Sequence, residues 1–423
     1  MRTKFLALLL VLPMLAFCDT PIDPEVNNGE NTEQQPEQQE PEQQEPETET
    51  PAPTPVPDGL APEVKNGDRI LVTNASVQKF LEDVNYADHD YSYTSLLTWG
   101  EENGVMVCPG KETYKPQSYT IRWEADAAAG EVTATLAEGT WSRTFTEKAG
   151  TAHLEITNLC PNAHYTYVVK AGEKVLTEGE FDTYGLVRQM YVKTEIRNCR
   201  DLGGWKSGDS KSVRYRMIYR GGRLDASSLA ASGKEHFKAE GIKAQLDLRG
   251  VSDVIKSKEA SPLGQLYELD EYEFCAPVIE EGYTYLLDGD REKTRQVIQF
   301  IMDCVDKNKP VYFHCSLGRD RTGTVSMLVL GILGVREGDI SKEYELTQFA
   351  PATWATSAGE KTKMTRLADY DGAAKFIWDG YVDEANGETF VDGVEKYLLE
   401  IGISQADIDK FRANMLVDAP AAE

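Results

Sequence analysis

The spacing of apolar and polar residues divides the chain into regions that predict different structures. Between residues 118 and 169 the two kinds of residue alternate in short runs, which is typical of half-buried strands. These runs occupy residues 118–123, 132–136, 140–145, 153–157 and 165–169. We therefore predict an all-β domain over residues 63–185, in which residues 64–110 are included by position.

From residue 185 onward, short apolar runs alternate with segments of helical spacing. The apolar runs at residues 242–248 and 310–314 predict buried strands. Helices are predicted at residues 292–307, 324–333, 340–349, 389–399 and 404–416. This alternation predicts an α/β domain over residues 186–423, with a mainly parallel central sheet flanked by helices.

The region before residue 63 has no pattern that predicts a packed core. In residues 19–62, Pro-Glu-Gln-Gln-Glu occurs twice in succession, from Pro36 and from Pro41, and residues 51–57 are rich in proline. Because it has few apolar side chains, this segment cannot offset the entropy of ordering, and it predicts a disordered, extended stalk. Its acidic residues contribute to a net charge of −26 over 423 residues, which argues against nucleic acid as a partner.

The first 18 residues have the composition of an export signal. Arg2 and Lys4 precede an apolar core at residues 5–17, too short to span a bilayer comfortably, and Cys18 follows. The arrangement resembles a bacterial lipoprotein signal, in which this cysteine is lipidated. Phe17 departs from the small residue usual at that position, so an ordinary secretory signal and an uncleaved anchor are alternatives. Each predicts export, and lipidation of Cys18 predicts a membrane-anchored protein of the cell envelope, on its periplasmic face or at the cell surface.

The seven cysteines have no regular spacing, so neither a disulfide framework nor a zinc site is predicted. Cys108 and Cys160 could pair within the β-domain. Cys199, Cys275 and Cys304 are expected to be small buried residues.

Cys315 lies at the junction of a predicted strand and a predicted helix. The apolar run that ends at His314 precedes it, the apolar helix from Thr324 follows, and Arg321 comes six residues after the cysteine. Backbone N–H groups in such a turn point inward and the helix N-terminus adds positive charge, so the loop is suited to hold a dianion. The same field favours a thiolate nucleophile at Cys315, and the Arg321 guanidinium would clamp phosphate oxygens.

Four segments together resemble a known family. Residues 314–322 have the His-Cys-x5-Arg-Thr signature of the cysteine-dependent CX5R protein tyrosine phosphatase superfamily. Residues 198–204, 219–224 and 247–249 precede it in the order found in the bacterial tyrosine/serine protein phosphatase family. The resemblance covers about residues 198–416. It implies hydrolysis of a phosphomonoester through a phosphocysteine intermediate, without a metal ion or another cofactor.

The resemblance also assigns roles to single residues. Thr322 would hydrogen-bond the sulfur, and His314 would orient the loop. Asp247 and Arg249 would either contact the substrate or form a structural ion pair. The loop would stabilise the equatorial oxygens of the transition state. Its phosphate-binding residues would be Ser316, Leu317, Gly318, Arg319, Asp320 and Arg321.

A leaving alkoxide or phenolate needs a proton, so a general acid is expected. The resemblance favours Asp320, inside the loop, although this carboxylate could instead orient Arg321 or cap the helix. Asp288 and Asp290, which precede the helix predicted at residues 292–307, are the alternatives.

Other charged groups are expected around the loop. Arg319 would place a further cation at the mouth of the pocket, which keeps phosphoinositides open as substrates. Arg200 and Asp201 would brace the reactive loop.

The predicted β-domain carries a second resemblance. Leu159, Pro161 and Tyr165 have the Leu-x-Pro-x-x-x-Tyr spacing of the tyrosine corner in fibronectin type III sandwiches, and Trp123 resembles their buried strand tryptophan. This resemblance implies a fibronectin type III-like domain that acts as a spacer or a docking surface.

The sequence therefore predicts an exported phosphatase that hydrolyses phosphotyrosine, with phosphoserine and phosphothreonine as further substrates. The first alternative is a phosphoinositide or inositol-phosphate phosphatase, which would use the same loop. The second is a non-catalytic surface module that binds phosphorylated ligands. The presence of both Cys315 and Arg321 argues against this second alternative.

Overall fold

The computed structural model describes residues 59–88, 93–107, 114–125, 130–192, 196–208, 210–224, 231–250, 272–279, 282, 284–350 and 368–419. All of them belong to one compact unit, Val56–Glu423. The predicted export signal with Cys18, residues 19–58 of the predicted stalk, and Cys108 lie outside the described residues. None of the helices in this part of the chain is long and apolar enough to cross a membrane.

The first half of the unit contains two antiparallel β layers around one core. A five-stranded sheet has the order β1-β7-β6-β3-β4, and β2 pairs with β5. The strands are β1 Arg69–Leu71, β2 Tyr119–Arg122, β3 Val132–Glu138, β4 Trp141–Glu147, β5 His153–Ile156, β6 His164–Ala171 and β7 Lys174–Tyr184. β1 joins the edge in parallel with β7. Trp123 and Tyr165 are buried in the core, and the Tyr165 hydroxyl accepts a hydrogen bond from the Cys160 N–H at 2.9 Å, as the tyrosine-corner spacing predicts.

The prediction that residues 63–185 are all-β is wrong for their first part. Helix α1 spans Ala75–Asp83 and α2 spans Tyr93–Asn103. The side chain of Asn74 caps α1 by accepting from two backbone N–H groups. Val77 and Phe80 lie at helical spacing and are buried in the core of the second half of the unit, not in the core between the β layers. The one-sided apolar pattern of a helix explains why this segment does not alternate like a strand.

The second half of the unit is built on a mainly parallel sheet, as predicted. Its order is β13-β12-β14-β11-β8, in which only β8 is antiparallel to its neighbour. These strands are β8 Arg200–Asp201, β11 Ile218–Gly221, β12 Ala244–Asp247, β13 Glu273–Cys275 and β14 Val311–His314. A separate, small antiparallel sheet has the order β15-β10-β9 and consists of β9 Lys206–Ser207, β10 Lys211–Val213 and β15 Leu416–Asp418. The parallel strands bring their carboxyl ends to one edge, where β14 leads into Cys315.

Helices cover this sheet with a shared apolar core. They are α3 Ala231–Ala239, α4 Arg291–Asp306, α5 Asp320–Ile332, α6 Glu337–Glu345, α7 Ala368–Tyr381, α8 Phe390–Glu400 and α9 Gln405–Met415. Helix α5 is buried along almost its whole length, which explains its nearly continuous apolar sequence. It begins four residues before the predicted start, because Asp320 places a carboxylate at the positive end of the helix.

A buried ion-pair cluster connects the two halves of the unit. Arg216 donates to Glu138 of β3 at 2.8 Å and to Glu240, after α3, at 2.9 Å. Arg188 pairs with Glu240 at 2.8 Å and with Asp201 at 3.1 Å. We call these five residues the joint network. It holds the β layers against the helix that precedes β12.

Four cysteines outside the reactive loop lie in the described part of the chain, and all four are free thiols. Cys160 is one of them and is buried, while Cys108, considered as its disulfide partner, lies outside the described residues. Burial raises the pKa of the Cys160 thiol to about 12. Cys199 and Cys304 are buried as predicted, whereas Cys275 is half-buried.

Candidate active site

The reactive loop connects the end of β14 to the start of α5. Cys315 is the first residue after the strand and is 3% exposed. Gly318 has a φ of 72°, and a Cβ at this position would collide with the backbone of Gly221 and lie 2.7 Å from the Gly222 nitrogen. Glycine therefore permits both the left-handed turn and the close approach of the loop to the end of β11.

The carbonyl groups of the loop are bound by the surrounding scaffold. The Cys315 carbonyl accepts from His314 Nδ1 at 3.1 Å, and the Ser316 carbonyl accepts from the Arg223 N–H at 3.2 Å. The Gly318 carbonyl accepts from Asn198 Nδ2 at 2.8 Å. In a trans peptide the N–H points opposite to the C=O. The next N–H groups, on Ser316, Leu317 and Arg319, therefore point away from these donors, which is the arrangement an anion-binding loop requires.

His314 lies beneath the loop and is completely buried. Its Nε2 lies 2.7 Å from the side-chain nitrogen of Gln245. The side-chain oxygen of Gln245 accepts a hydrogen bond from the Tyr272 hydroxyl. The carbonyl acceptor at Nδ1 requires a proton on that nitrogen. This position fits the predicted role of orienting the loop, which remains a prediction.

Arg321 lies in the first turn of α5 and is half-buried. Its Nη1 donates to the Ile279 carbonyl at 2.9 Å and approaches the Leu248 carbonyl at 3.5 Å. Leu248 and Ile279 follow β12 and β13, so the guanidinium is attached to the carboxyl edge of the sheet. A guanidinium is planar and can bind two oxygens of an oxyanion at once.

Thr322 does not make the predicted bond to the sulfur. Its side-chain oxygen is buried and has no hydrogen-bond partner in the structure. Thr322 is in the first turn of α5, where the hydroxyl can rotate without disturbing the backbone. A bond to Cys315 in a later step of the reaction remains a prediction.

Asp320 begins α5, next to the reactive cysteine loop. Arg319 Nε donates to its carboxylate at 2.5 Å, and the Tyr344 hydroxyl approaches the same oxygen at 3.5 Å. The carboxylate is 27% exposed, so it remains accessible to a substrate. The Arg319 side chain is only 11% exposed. This guanidinium is thus paired with Asp320, and its predicted place at the mouth of the pocket remains a prediction.

The alternative acids lie at the start of α4. Asp288 is 66% exposed and pairs with Arg291 at 3.1 Å, while Asp290 pairs with Lys293 at 2.7 Å. Both pairs join neighbouring positions on the surface of one helix start. Asp320 differs from them because it belongs to the reactive loop itself.

Asp247 and Arg249 form a buried ion pair with each other. Arg249 donates to both carboxylate oxygens, with its shortest contact at 2.7 Å from Nη2. Burial alone would raise the pKa of Asp247, but His314 and Arg249 hold it below its usual range. Of the two interpretations left open by the sequence, the geometry favours the structural pair.

A buried cluster behind the loop was missed by the sequence analysis. Glu343 of α6 pairs with Arg200 at 2.6 Å and with Arg220 at 2.7 Å. Arg220 also donates to the Gly318 carbonyl, and Asn198 accepts from Arg200. We call Arg200, Arg220 and Glu343 the loop network. Arg200 braces the loop as predicted, but Asp201 belongs to the joint network instead.

The sequence carries no local signal for this cluster. In the structure Glu343 is buried in a helix that is buried along most of its length, and buried charges are normally paired. Its partner could not be identified from the sequence, because Arg200 is 143 residues away along the chain. Among the residues that the structure describes, no group of three or more His, Cys, Asp or Glu side chains could hold a metal ion.

The sequence of this chain is similar to those of tyrosine phosphatases. A Cupriavidus necator protein whose name assigns it to the tyrosine-protein phosphatases is 28% identical over 170 residues, which cover 35% of this chain and 59% of that protein. A tyrosine-protein phosphatase of Nostoc commune is 20% identical over 219 residues, covering 45% of this chain and 72% of that protein. The chain thus spans less than two thirds of the length of the Cupriavidus relative.

Solved structures show partial similarity. A cysteine-to-serine variant of TpbA from P. aeruginosa, in complex with phosphotyrosine, is 14% identical and covers 40% of this chain and 93% of its own, with a TM-score of 0.25. The catalytic domain of the PP-IP phosphatase SIW14 from S. cerevisiae is 15% identical, covering 35% and 78%, with a TM-score of 0.23. The model of the tyrosine phosphatase family matches residues 192–417, more than half of the chain, and the chain therefore belongs to the tyrosine phosphatase family.

Proposed function

We propose that this protein is a phosphatase that hydrolyses phosphotyrosine, and phosphoserine or phosphothreonine as further substrates, through a phosphocysteine intermediate. The observation that carries the proposal is the loop from Cys315 to Arg321, whose carbonyls are held by the scaffold. Its amides and the Arg321 guanidinium would bind a phosphoryl group at the cysteine. The names of the Cupriavidus and Nostoc relatives support the same class of reaction.

In the first step, Cys315 Sγ attacks phosphorus and the bond to the leaving oxygen breaks. The leaving oxygen takes a proton from the general acid, for which we propose Asp320. In the second step, water attacks phosphorus, its proton returns to the carboxylate, and the sulfur leaves as a thiolate. The loop amides and Arg321 stabilise the charge on the equatorial oxygens in both steps.

The nucleophile is tested by a panel of substrates offered to the full chain and to Cys315→Ser. We expect the variant to lose at least about a thousandfold in kcat/KM on a phosphotyrosine peptide. Cys275→Ser, which changes a half-buried thiol elsewhere, is the matched control and should retain activity. Equal rates for the parent and Cys315→Ser would disprove the mechanism. Faster turnover of a phosphoinositide or of phytate than of phosphopeptides would favour the inositol-phosphate alternative.

The general acid is tested with two leaving groups. Asp320→Asn should slow a phosphoserine peptide by about a hundredfold or more, because an alkoxide needs the proton, and should slow 4-nitrophenyl phosphate much less. Asp288→Asn and Asp290→Asn serve as matched carboxylate variants. If one of these two shows the dependence on the leaving group and Asp320→Asn does not, the acid is on the loop before α4.

We also propose that the protein is exported and anchored to a membrane of the cell envelope through a lipid on Cys18. Arg2, Lys4 and the apolar core at residues 5–17 support this proposal. Metabolic labelling with a fatty acid should mark the parent and not Cys18→Ser. Equal labelling of both proteins would exclude this anchor.

A further inference from the structure

A cavity of about 420 Å³ lies where the β layers meet the second half of the unit. It shares no lining residue with the loop at Cys315. Residues from both halves form its wall, among them Lys115, Arg143, Phe145, Asn158, Tyr191 and His236. We call it the joint cavity.

Arg143 of β4 supplies a cation to the wall of the joint cavity. The side chain is half-buried, and burial lowers the pKa of its guanidinium, although Glu240 and Glu235 partly oppose the shift. Nη1 contacts His236 Nδ1 at 3.1 Å, and the guanidinium carbon lies 4.5 Å from the centre of the Phe145 ring. Within the described part of the chain, no carboxylate forms an ion pair with it. Partial burial of a cation that has no direct ion pair costs free energy, and an anionic ligand bound to this guanidinium would offset part of that cost.

The neighbouring His236 adds no charge to the cavity wall. Burial and the Arg143 cation lower its pKa to about 4, so the imidazole is neutral near pH 7. On the other side of the ring, the Asn158 side-chain nitrogen lies 3.3 Å from His236 Nε2 and donates to the Tyr191 carbonyl at 2.8 Å. The wall behind the guanidinium is therefore polar, and the Glu240 carboxylate lies beyond it, 3.7 Å from His236 Nε2.

A second cation lines the same cavity. Lys115 Nζ lies 4.1 Å from the centre of the Tyr191 ring. The one carboxylate in the lining, Glu155, is on an exposed residue. This local excess of positive charge contrasts with the net charge of −26 of the whole chain.

We propose that the joint cavity binds a small organic oxyanion, a carboxylate or a phosphate ester. The Arg143 fork would hold two oxygens and the Lys115 ammonium a third, while Phe145 and Tyr191 would cover the carbon skeleton. The volume is within the range of small-molecule sites, which are typically mostly apolar with a few placed polar groups. Such a ligand would touch strand β4 and helix α3 together. This inference is independent of the proposed reaction at Cys315.

The test uses the full chain with its reactive loop disabled, so that anions at the active site do not contribute. In a Cys315→Ser, Arg321→Ala background, calorimetric titration with citrate and with inorganic phosphate should show one site with a Kd below about 1 mM for at least one of them. Adding Arg143→Gln should weaken that affinity at least about tenfold, and Arg143→Lys should weaken it less. Lys170→Gln removes an exposed cation of β6 outside the cavity and should leave the affinity unchanged.

Two results would overturn the proposal. One is the absence of binding by either anion at about 10 mM, a concentration far above that of a specific site. The other is equal loss of affinity in Arg143→Gln and Lys170→Gln, which would indicate diffuse attraction of anions to surface charge. Thermal melting of each variant without added anion checks that it is folded, and retained affinity in Arg143→Lys shows that the site itself is intact.

Discussion

Two buried clusters of arginine and carboxylate groups use the same chemistry for different purposes. In the loop network two arginines, Arg200 and Arg220, share the single carboxylate of Glu343. In the joint network, by contrast, two arginines are surrounded by three carboxylates, those of Glu138, Asp201 and Glu240. Arginines therefore outnumber carboxylates in the loop network, whereas carboxylates outnumber arginines in the joint network.

This difference in charge balance matches the structural surroundings of each cluster. Arg220 donates to the Gly318 carbonyl, so the excess positive charge lies directly beneath the loop that we propose binds a dianion. Burial and the nearby Arg200 lower the pKa of Arg220 to about 10, against the pull of Glu343, and the guanidinium remains charged at neutral pH. Burial alone would raise the pKa of Glu240, but Arg188 and Arg216 hold it well below its usual range. The loop network thus supports the proposed anion site, and the joint network holds the β layers against helix α3.

The largest expected effect comes from Glu343→Gln. The change keeps the shape of the side chain but leaves Arg200 and Arg220 buried without a counter-charge. We expect a loss of about 3–5 kcal/mol in the free energy of unfolding, measured by urea denaturation at pH 7. We also expect kcat/KM of the folded fraction to fall at least about tenfold, because Arg220 and Asn198 no longer hold the Gly318 carbonyl in place.

The matched change in the other cluster is Glu240→Gln, which should affect stability alone. It removes the shared partner of Arg188 and Arg216 and weakens the bond from the Tyr219 hydroxyl, which donates to Glu240 at 2.8 Å. About 3 kcal/mol of unfolding free energy should be lost. kcat/KM of the folded protein should remain within about twofold of the parent, since other carboxylates stay in the joint network. If both variants lose activity equally, the two clusters do not have separate roles.

What the sequence could predict follows the same division between local and distant contacts. The strand, loop and helix around Cys315 are determined by adjacent residues, and they were predicted to within a few positions. The parallel sheet followed from the alternation of apolar runs and helical segments. The loop network was not predicted, because it depends on a contact between Arg200 and Glu343 that no local pattern encodes.

The same limit explains why the segments of α1 and α2 were assigned to the predicted β-domain. Phe80 packs against Phe349, with ring centres 4.9 Å apart, so α1 completes a core whose other wall is far along the chain. The pairing of Arg319 with Asp320 was also not predicted, since it depends on the rotation of the first turn of α5 and not on the order of residues. By contrast, the Tyr165 hydroxyl accepts from the Cys160 N–H, and the short spacing of these two residues in the sequence implied this hydrogen bond.

The smallest predicted effect is a dependence of protein stability on pH that arises next to the joint network. His236 contacts the joint network at Glu240, with its Nε2 3.7 Å from a carboxylate oxygen, and its pKa in the folded protein is about 4. An unfolded histidine has a pKa of about 6.5, so between these two values the unfolded chain binds the additional proton. Stability therefore rises with pH across this window and is lost on acidification.

Between pH 7 and pH 5 this one group should lower the unfolding free energy by about 2 kcal/mol. His236→Gln, which removes the titrating group while keeping a polar side chain, should lessen the loss by that amount in urea titrations at the two pH values. His153→Gln on β5 is the matched control, and the contributions of all other titrating groups cancel in the comparison with the parent. An unchanged pH dependence in His236→Gln would show that this ring already takes up its proton in the folded protein.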